Sequence, residues 1–241
     1  MKCALFWATR NFRFHRKELY FFNGERKVVE AAEEEESMTK IKICGLKRIE
    51  DIEAVNRYKP EYIGFVFAKS KRQVSVDQAK RLKKALHPDI QAVGVFVNET
   101  IDVIKTICQE QIIDVVQLHG DEDVSYVDTL QNTVSVPIIK AIRVQSREQV
   151  LEAMKLSADY LLCDTYSKDA YGGCGETFSH QLIPDELQQY FLAGGLNPDN
   201  IREIIEKTSP YCVDVSSGVE TDGVKDEAKI KAFIEAVRKY I

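Results

Sequence analysis

Eight short apolar runs recur along the chain, each followed by an amphipathic or loop segment, and this alternation limits the possible folds more than any other feature. The runs are Ile41–Cys44, Tyr62–Phe67, Ala92–Val97, Val115–Leu118, Ile138–Ala141, Tyr160–Cys163, Tyr190–Ala193 and Cys212–Val215. They are short and rich in Val, Ile, Phe and Tyr, as strands buried on both faces must be. Helical spacing appears between them, in Ile49-Ile52-Val55-Asn56, Asp77–Leu86, Ile101-Ile104-Ile107-Cys108 and Ile230–Val237. Start signals are read at Asp77, at Asp199 after Pro198, and at Ser146 with Glu148 and Gln149 beyond it. Eight strand–helix pairs between residues 40 and 241 predict an α/β fold, a closed (β/α)8 TIM barrel of eight parallel strands. An open doubly wound sheet is the structural rival, and the G-x-G-x-x-G turn expected after its first strand is missing.

Composition narrows the function classes. Of 241 residues, 44% are hydrophobic and 29% charged, which sets aside disordered and fibrous classes. Acidic residues outnumber basic ones, 38 to 33, so a nucleic-acid partner is not expected. No apolar run approaches a membrane span, and no membrane partner is expected. The six cysteines form no C-x-x-C pair and read as reduced thiols of a cytoplasmic protein. Four separated histidines, in no metal-binding motif, give no metal site.

Residues 1–37 do not share this pattern. They carry the only Trp, many aromatics, and basic and acidic residues that cancel, and they lack the apolar core and cleavage site of a signal peptide. They are read as an N-terminal extension that is either disordered or a misassigned start. The glutamates Glu33–Glu36 precede Met38 as a translated ribosome-binding site would, which makes Met38 the expected true start and residues 38–241 the catalytic barrel. The alternative is a genuine extension.

In a closed parallel barrel the reactive groups sit just past the strands. The residues there are Cys44-Gly45, Lys69-Ser70-Lys71-Arg72, Asn98, His119-Gly120-Asp121, Arg143, Asp164-Thr165, Gly194-Gly195 and Ser216-Ser217-Gly218. The glycines of the last two turns let backbone N–H groups approach an anion, and loops seven and eight are where such barrels commonly hold phosphate. A third cluster, Gly172-Gly173-Cys174-Gly175, follows strand six. Cys44 at a strand end reads as nucleophile, general base or buried hydrophobe, whereas Cys108, Cys163 and Cys212 read as core. Asp164 is placed to exchange a proton, or to cap or pair at the surface. Arg72 suits a planar carboxylate, or is part of a solvated basic loop. Gln117 and His119, two apart on a strand, point to one side; the histidine contacts a ligand or is structural.

Several motifs together resemble phosphoribosylanthranilate isomerase, in order and from Lys40 to Ile241. They are Lys42-Ile43-Cys44-Gly45-Leu46, Gly64-Phe65-Val66-Phe67 with Ser70-Lys71-Arg72, Gln117-Leu118-His119-Gly120, Cys163-Asp164-Thr165, Gly172-Gly173-x-Gly175, Ala193-Gly194-Gly195-Leu196 and Asp214-Val215-Ser216-Ser217-Gly218-Val219-Glu220. The resemblance implies an Amadori rearrangement of N-(5-phosphoribosyl)anthranilate in tryptophan synthesis, with Cys44 as general base and Asp164 as general acid. It implies substrate contacts from Arg72, Gln117, His119, Gly173, Gly175, Gly194, Gly195, Ser216, Ser217 and Gly218. The implied partner is this small phosphosugar, with no cofactor, in a monomer or homodimer. Cys174, Glu176 and Ser179-His180 depart from the family pattern, and a carboxylate at 176 predicts weaker phosphate affinity. A related aminoaldose isomerase of histidine synthesis and a catalytically dead ligand-binding barrel are the rival functions; Cys44 argues against the first, and Cys44 with Asp164 against the second.

Overall fold

The computed structural model describes residues 18–22, 25–29, 39–164 and 182–239. The chain divides into two units, Met1–Ser37 and Met38–Ile241. In the first, Glu18–Phe22 and Glu25–Val29 pair as an antiparallel hairpin.

The second unit is a closed barrel of eight parallel strands. In chain order these are β1 (Lys40–Cys44), β2 (Tyr62–Val66), β3 (Gln91–Phe96), β4 (Val115–Leu118), β5 (Ile138–Arg143), β6 (Tyr160–Asp164), β7 (Tyr190–Ala193) and β8 (Cys212–Val215). Each pairs with the next, and β8 pairs with β1 to close the ring. All eight expected runs are strands, three of them with the same limits and the rest within two residues at either end. The helices among the described residues are α1 (Ile49–Tyr58), α2 (Val76–Ala85), α3 (Ile101–Gln109), α4 (Val124–Gln131), α5 (Arg147–Ala153), α6 (Ile201–Thr208) and α7 (Glu227–Arg238). Between β6 and β7, residues 182–189 form turns. No helix among the described residues is long and apolar enough to cross a membrane.

Local chemistry explains where the helices begin. Ser146 caps α5, its hydroxyl accepting the Gln149 N–H at 3.2 Å, as its spacing predicts. Two start signals shift when the backbone is seen. Ser75, not Asp77, caps α2, accepting from Gln78 N at 3.2 Å, and Asp77 lies in the first turn, where its charge favours the positive end of the helix. Asn200, not Asp199, is the cap residue of α6, while Asn197 Oδ1 accepts the Asp199 N–H at 2.9 Å.

Side chains alternate along each strand, so each strand sends one set inward and the other toward the helices. Ile41, Ile43, Ile63, Phe65, Val116 and Leu118 belong to the outer core packed against Ile52, Val55, Ile104, Ile230 and Phe233 of the helices. The inward set includes Tyr62, Val93, Val115, Ile139, Leu162, Phe191 and Cys212, which fill the barrel. Cys212 and Cys163 are buried, as expected of core thiols, but on opposite faces: Cys212 points into the barrel and Cys163 outward. Cys108 is only half-buried.

Candidate active site

Above that apolar plug the inward positions turn polar. Lys42 on β1 is fully buried, and its Nζ donates to Asp214 Oδ2 of β8 at 2.8 Å. The pair lies at matched register across the β8–β1 seam. Burial disfavours the Lys42 ammonium, but the Asp214 carboxylate beside it prevails and holds the amine above its ordinary value. Asp214 Oδ1 and Gln117 Oε1 are buried with no hydrogen-bond partner among the described residues.

One step closer to the mouth on the same wall, Cys44 ends β1. Gly64 stands beside it on β2, and a Cβ there would come within 2.7 Å of Sγ, so only glycine leaves the sulfur its room. Burial pushes the Cys44 thiol above its ordinary value, and the Asp214 carboxylate adds to the rise. The cations of Lys42 and Lys225 oppose it. The thiolate therefore has two positive neighbours in a site that otherwise resists charge.

Facing it across the mouth are His119 just past β4 and Asp164 at the end of β6. His119 Nε2 lies 3.4 Å from Asp164 Oδ2, and Gln117 Nε2 lies 2.9 Å from His119 Nδ1. An amide N–H donated to Nδ1 leaves Nε2 as the ring edge that faces the carboxylate. The ring is thus held by Gln117 at Nδ1, and its Nε2 edge faces Asp164. The turn that carries it is braced from outside the barrel. Glu122 accepts from Gly120 N at 3.0 Å and Asn98 N at 2.8 Å, and Lys140 Nζ binds both Glu122 Oε2 and Gly120 O at 2.7 Å.

Arg72, in the loop after β2, is not a solvated loop residue. Its Nε and Nη2 each lie 2.7 Å from an oxygen of Glu220, a bidentate pair. Glu220 Oε1 also accepts from Lys225 Nζ at 2.7 Å, and Lys225 in turn donates to Ser216 O at 2.8 Å. Burial alone would raise the Glu220 carboxyl, but Arg72 and Lys225 bring it down to about 2.

The two glycine turns meet. A Cβ on Gly218 would overlap the carbonyl oxygen of Leu196, so the loop after β8 lies directly on the loop after β7. Gly194 and Gly195 both take positive φ, and Ser217–Val219 form a single 3-10 turn after Ser216. The Ser216 hydroxyl donates to Cys44 O at 3.1 Å, tying this turn to the end of β1. Gly173 and Gly175, with Cys174, Glu176, Ser179 and His180, lie outside the described residues. Among the described residues no cluster of His, Cys, Asp and Glu is disposed to hold a metal ion.

Sequence reading gave no role to Asp214, Glu220, Lys225, Lys140 or Glu122. Charged residues inside otherwise apolar strands, Lys42, Lys140 and Asp214, were the available signal, since such a charge needs a partner. Lys225 ends the two-residue strand Val224–Lys225 among polar neighbours and carries no such mark.

The chain matches the family model described as N-(5'phosphoribosyl)anthranilate (PRA) isomerase over residues 41–236. It is 47% identical over 214 residues to the N-(5'-phosphoribosyl)anthranilate isomerase of Lachnoclostridium phytofermentans, covering 83% of this chain and 98% of that protein. The crystal structure of phosphoribosyl anthranilate isomerase from Thermotoga maritima superposes with a TM-score of 0.75 at 37% identity, covering 84% of this chain and 100% of that one. A phosphoribosyl anthranilate isomerase in complex with reduced 1-(o-carboxyphenylamino)-1-deoxyribulose 5-phosphate aligns with a TM-score of 0.72 at 34% identity, covering 84% and 100%. The chain belongs to the N-(5'-phosphoribosyl)anthranilate isomerase family, aldose–ketose isomerases of tryptophan biosynthesis.

Proposed function

We propose that the chain converts N-(5-phosphoribosyl)anthranilate to 1-(2-carboxyphenylamino)-1-deoxy-D-ribulose 5-phosphate, with Asp164 as general acid and Cys44 as general base. Asp164 gives its proton to the furanose ring oxygen. The C1–O bond breaks, and the anilino nitrogen's lone pair forms the C1=N bond of a cationic Schiff base. The Cys44 thiolate then takes the proton from C2, and the C2–H electrons neutralise the imine to give an enolamine. A proton passing from the C2 hydroxyl to C1 yields the ketone. The cationic imine is itself the electron sink, so this chemistry calls for no cofactor.

One observation carries the reading: a thiol and a carboxylate end β1 and β6 on opposing walls of one mouth, and the environment of each suits a different task. The thiol, raised by burial, makes a strong base once ionised, and Lys42 with Lys225 support the anion. Asp164 has His119 beside it at 3.4 Å, a partner for the carboxylate that remains after the proton is given up. The phosphate is held by backbone N–H groups and hydroxyls of Gly194, Gly195, Ser216, Ser217 and Gly218, and Gly173 and Gly175 are further substrate contacts. Arg72 receives the anthranilate carboxylate, and Gln117 and His119 line the sugar. The reaction takes place in the cytoplasm, and residues 38–241 suffice for it.

The test is turnover of freshly made substrate by the full chain, followed as loss of anthranilate fluorescence. Cys44→Ala and Asp164→Asn should each abolish it while leaving the fold intact by circular dichroism. A folded variant that keeps its rate removes that residue from the chemistry. Residues 38–241 alone should turn over at the rate of the full chain.

A further inference from the structure

A guanidinium offers five N–H donors in one plane, so one arginine can engage two carboxylates along two different edges. At Arg72 one edge is taken. Glu220 binds side-on through Nε and Nη2, at 2.7 Å each, and leaves the edge formed by Nη1 and the second Nη2 proton unused by that pair. The two partners differ in exposure: the Arg72 side chain is 31% exposed and that of Glu220 only 7%. Glu220 is therefore the buried backing, and the guanidinium presents its other edge outward. The stem of Arg72 is fixed too. Gly45 takes φ +87°, and a Cβ on it would overlap Arg72 Cδ, so the methylenes lie directly on the Gly45 backbone. Behind Glu220, Lys225 Nζ grips Oε1 at 2.7 Å and the carbonyl of Ser216 at 2.8 Å. Two cations and one anion leave a net positive charge here, which suits one more carboxylate.

We propose that Glu220 is a positioning residue: it seats the Arg72 guanidinium so that its outward edge receives the substrate's ring carboxylate, and Lys225 ties that seat to the Ser216 turn. This rests on the reading of Arg72 as the carboxylate contact. The consequence is geometric. The anchor for the ring carboxylate and the turn assigned to the phosphate are joined through one buried carboxylate, which fixes the span between the two ends of the substrate.

Orientation and bulk charge predict opposite results for Glu220→Gln. Removing the carboxylate makes the cluster more positive, so if attraction alone mattered, KM would fall. If seating matters, KM for the carboxylate-bearing substrate rises, by about tenfold for a misplaced contact of this kind. The experiment compares steady-state kinetics of the full chain on freshly made N-(5-phosphoribosyl)anthranilate and on the aniline analogue that lacks the carboxylate. The expected result is a roughly tenfold rise in KM for the anthranilate substrate in Glu220→Gln, with less than about twofold change for the aniline analogue. Glu220→Asp, which keeps the charge but draws it back by one methylene, should move KM in the same direction and by less, and serves if the glutamine variant fails to fold. Arg72→Ala, run alongside, should bring the two substrates to similar KM values. If Arg72→Ala brings the two KM values together as described but neither Glu220 variant shows the selective rise, or if both substrates suffer equally in the Glu220 variants, the positioning role is wrong and the reading of Arg72 stands. If Arg72→Ala affects the two substrates alike, the carboxylate contact itself is wrong, and this inference falls with it.

Discussion

Lys42 Nζ and Asp214 Oδ2 lie 2.8 Å apart across the seam where β8 closes onto β1, and solvent scarcely reaches either side chain. A buried ion pair of this kind sits directly below the Cys44 thiol, and it constrains both stability and ionisation at the site.

Lys42→Met should cost about 3–5 kcal/mol, because it strands the Asp214 carboxylate inside the barrel. Urea unfolding of the full chain would measure the loss. The double variant Lys42→Met/Asp214→Leu should recover most of it, since an apolar pair of similar volume leaves no uncompensated charge. Recovery of none would show that the pair stabilises by more than mutual neutralisation.

The same substitution has a pH signature. Lys42 is one of the cations that oppose the burial-driven rise of the Cys44 thiol. Without it, and with Cys44 as the proposed base, the ascending limb of kcat/KM against pH should move to higher pH. Any folded Lys42→Met sample suffices for this, and a limb that stays in place would separate Lys42 from the thiol.

Gly64→Ala places a methyl 2.7 Å from Cys44 Sγ while leaving an ordinary strand backbone. The thiol must move. With Cys44 as the proposed base, a displacement of about 1 Å costs on the order of a hundredfold, so kcat/KM should fall by about that much while the circular dichroism spectrum stays unchanged. Wild-type activity in this variant would mean that Cys44 need not stand where it does.

Glu220 contributes stability that depends on acid. Its carboxyl is drawn from 4.5 to about 2 in the folded protein, by Arg72 and Lys225 against the pull of burial. A carboxyl with a depressed folded value stabilises fully above its unfolded value and loses that contribution as pH falls toward the folded one. Between about pH 4.5 and pH 2 the wild type should therefore lose Tm faster than Glu220→Gln, with the two curves running parallel above pH 5. Parallel curves throughout would remove the coupling.

Gly218→Ala should press the loop after β8 off the Leu196 carbonyl and part the two glycine turns. The expected effect is a rise in KM of about tenfold, shared by the anthranilate substrate and its aniline analogue because both carry the phosphate. That common rise distinguishes it from the selective effect expected at Glu220.

The barrel was legible in the order of residues because its strands are buried on both faces, and such strands must be continuous apolar runs. Val115–Leu118, Tyr190–Ala193 and Cys212–Val215 could be delimited to the residue for that reason. The strand ends also brought Cys44, His119 and Asp164 forward as candidates, and the fold places all three at one mouth, as a parallel barrel does with residues just past its strands. Helix starts were less legible: at Ser75 and Asn200 the choice among neighbouring capping residues depended on backbone angles that neighbouring segments impose. What sequence left open was pairing. Lys42 and Asp214 are 172 residues apart, and Arg72 and Glu220 are 148 apart. Nothing local in either member identifies the other, because charges are matched through space. Only closure of β8 onto β1 and the turn that follows it brings them within 3 Å, and that closure adds Lys225 to the cations near the Cys44 thiol and gives Arg72 its buried support.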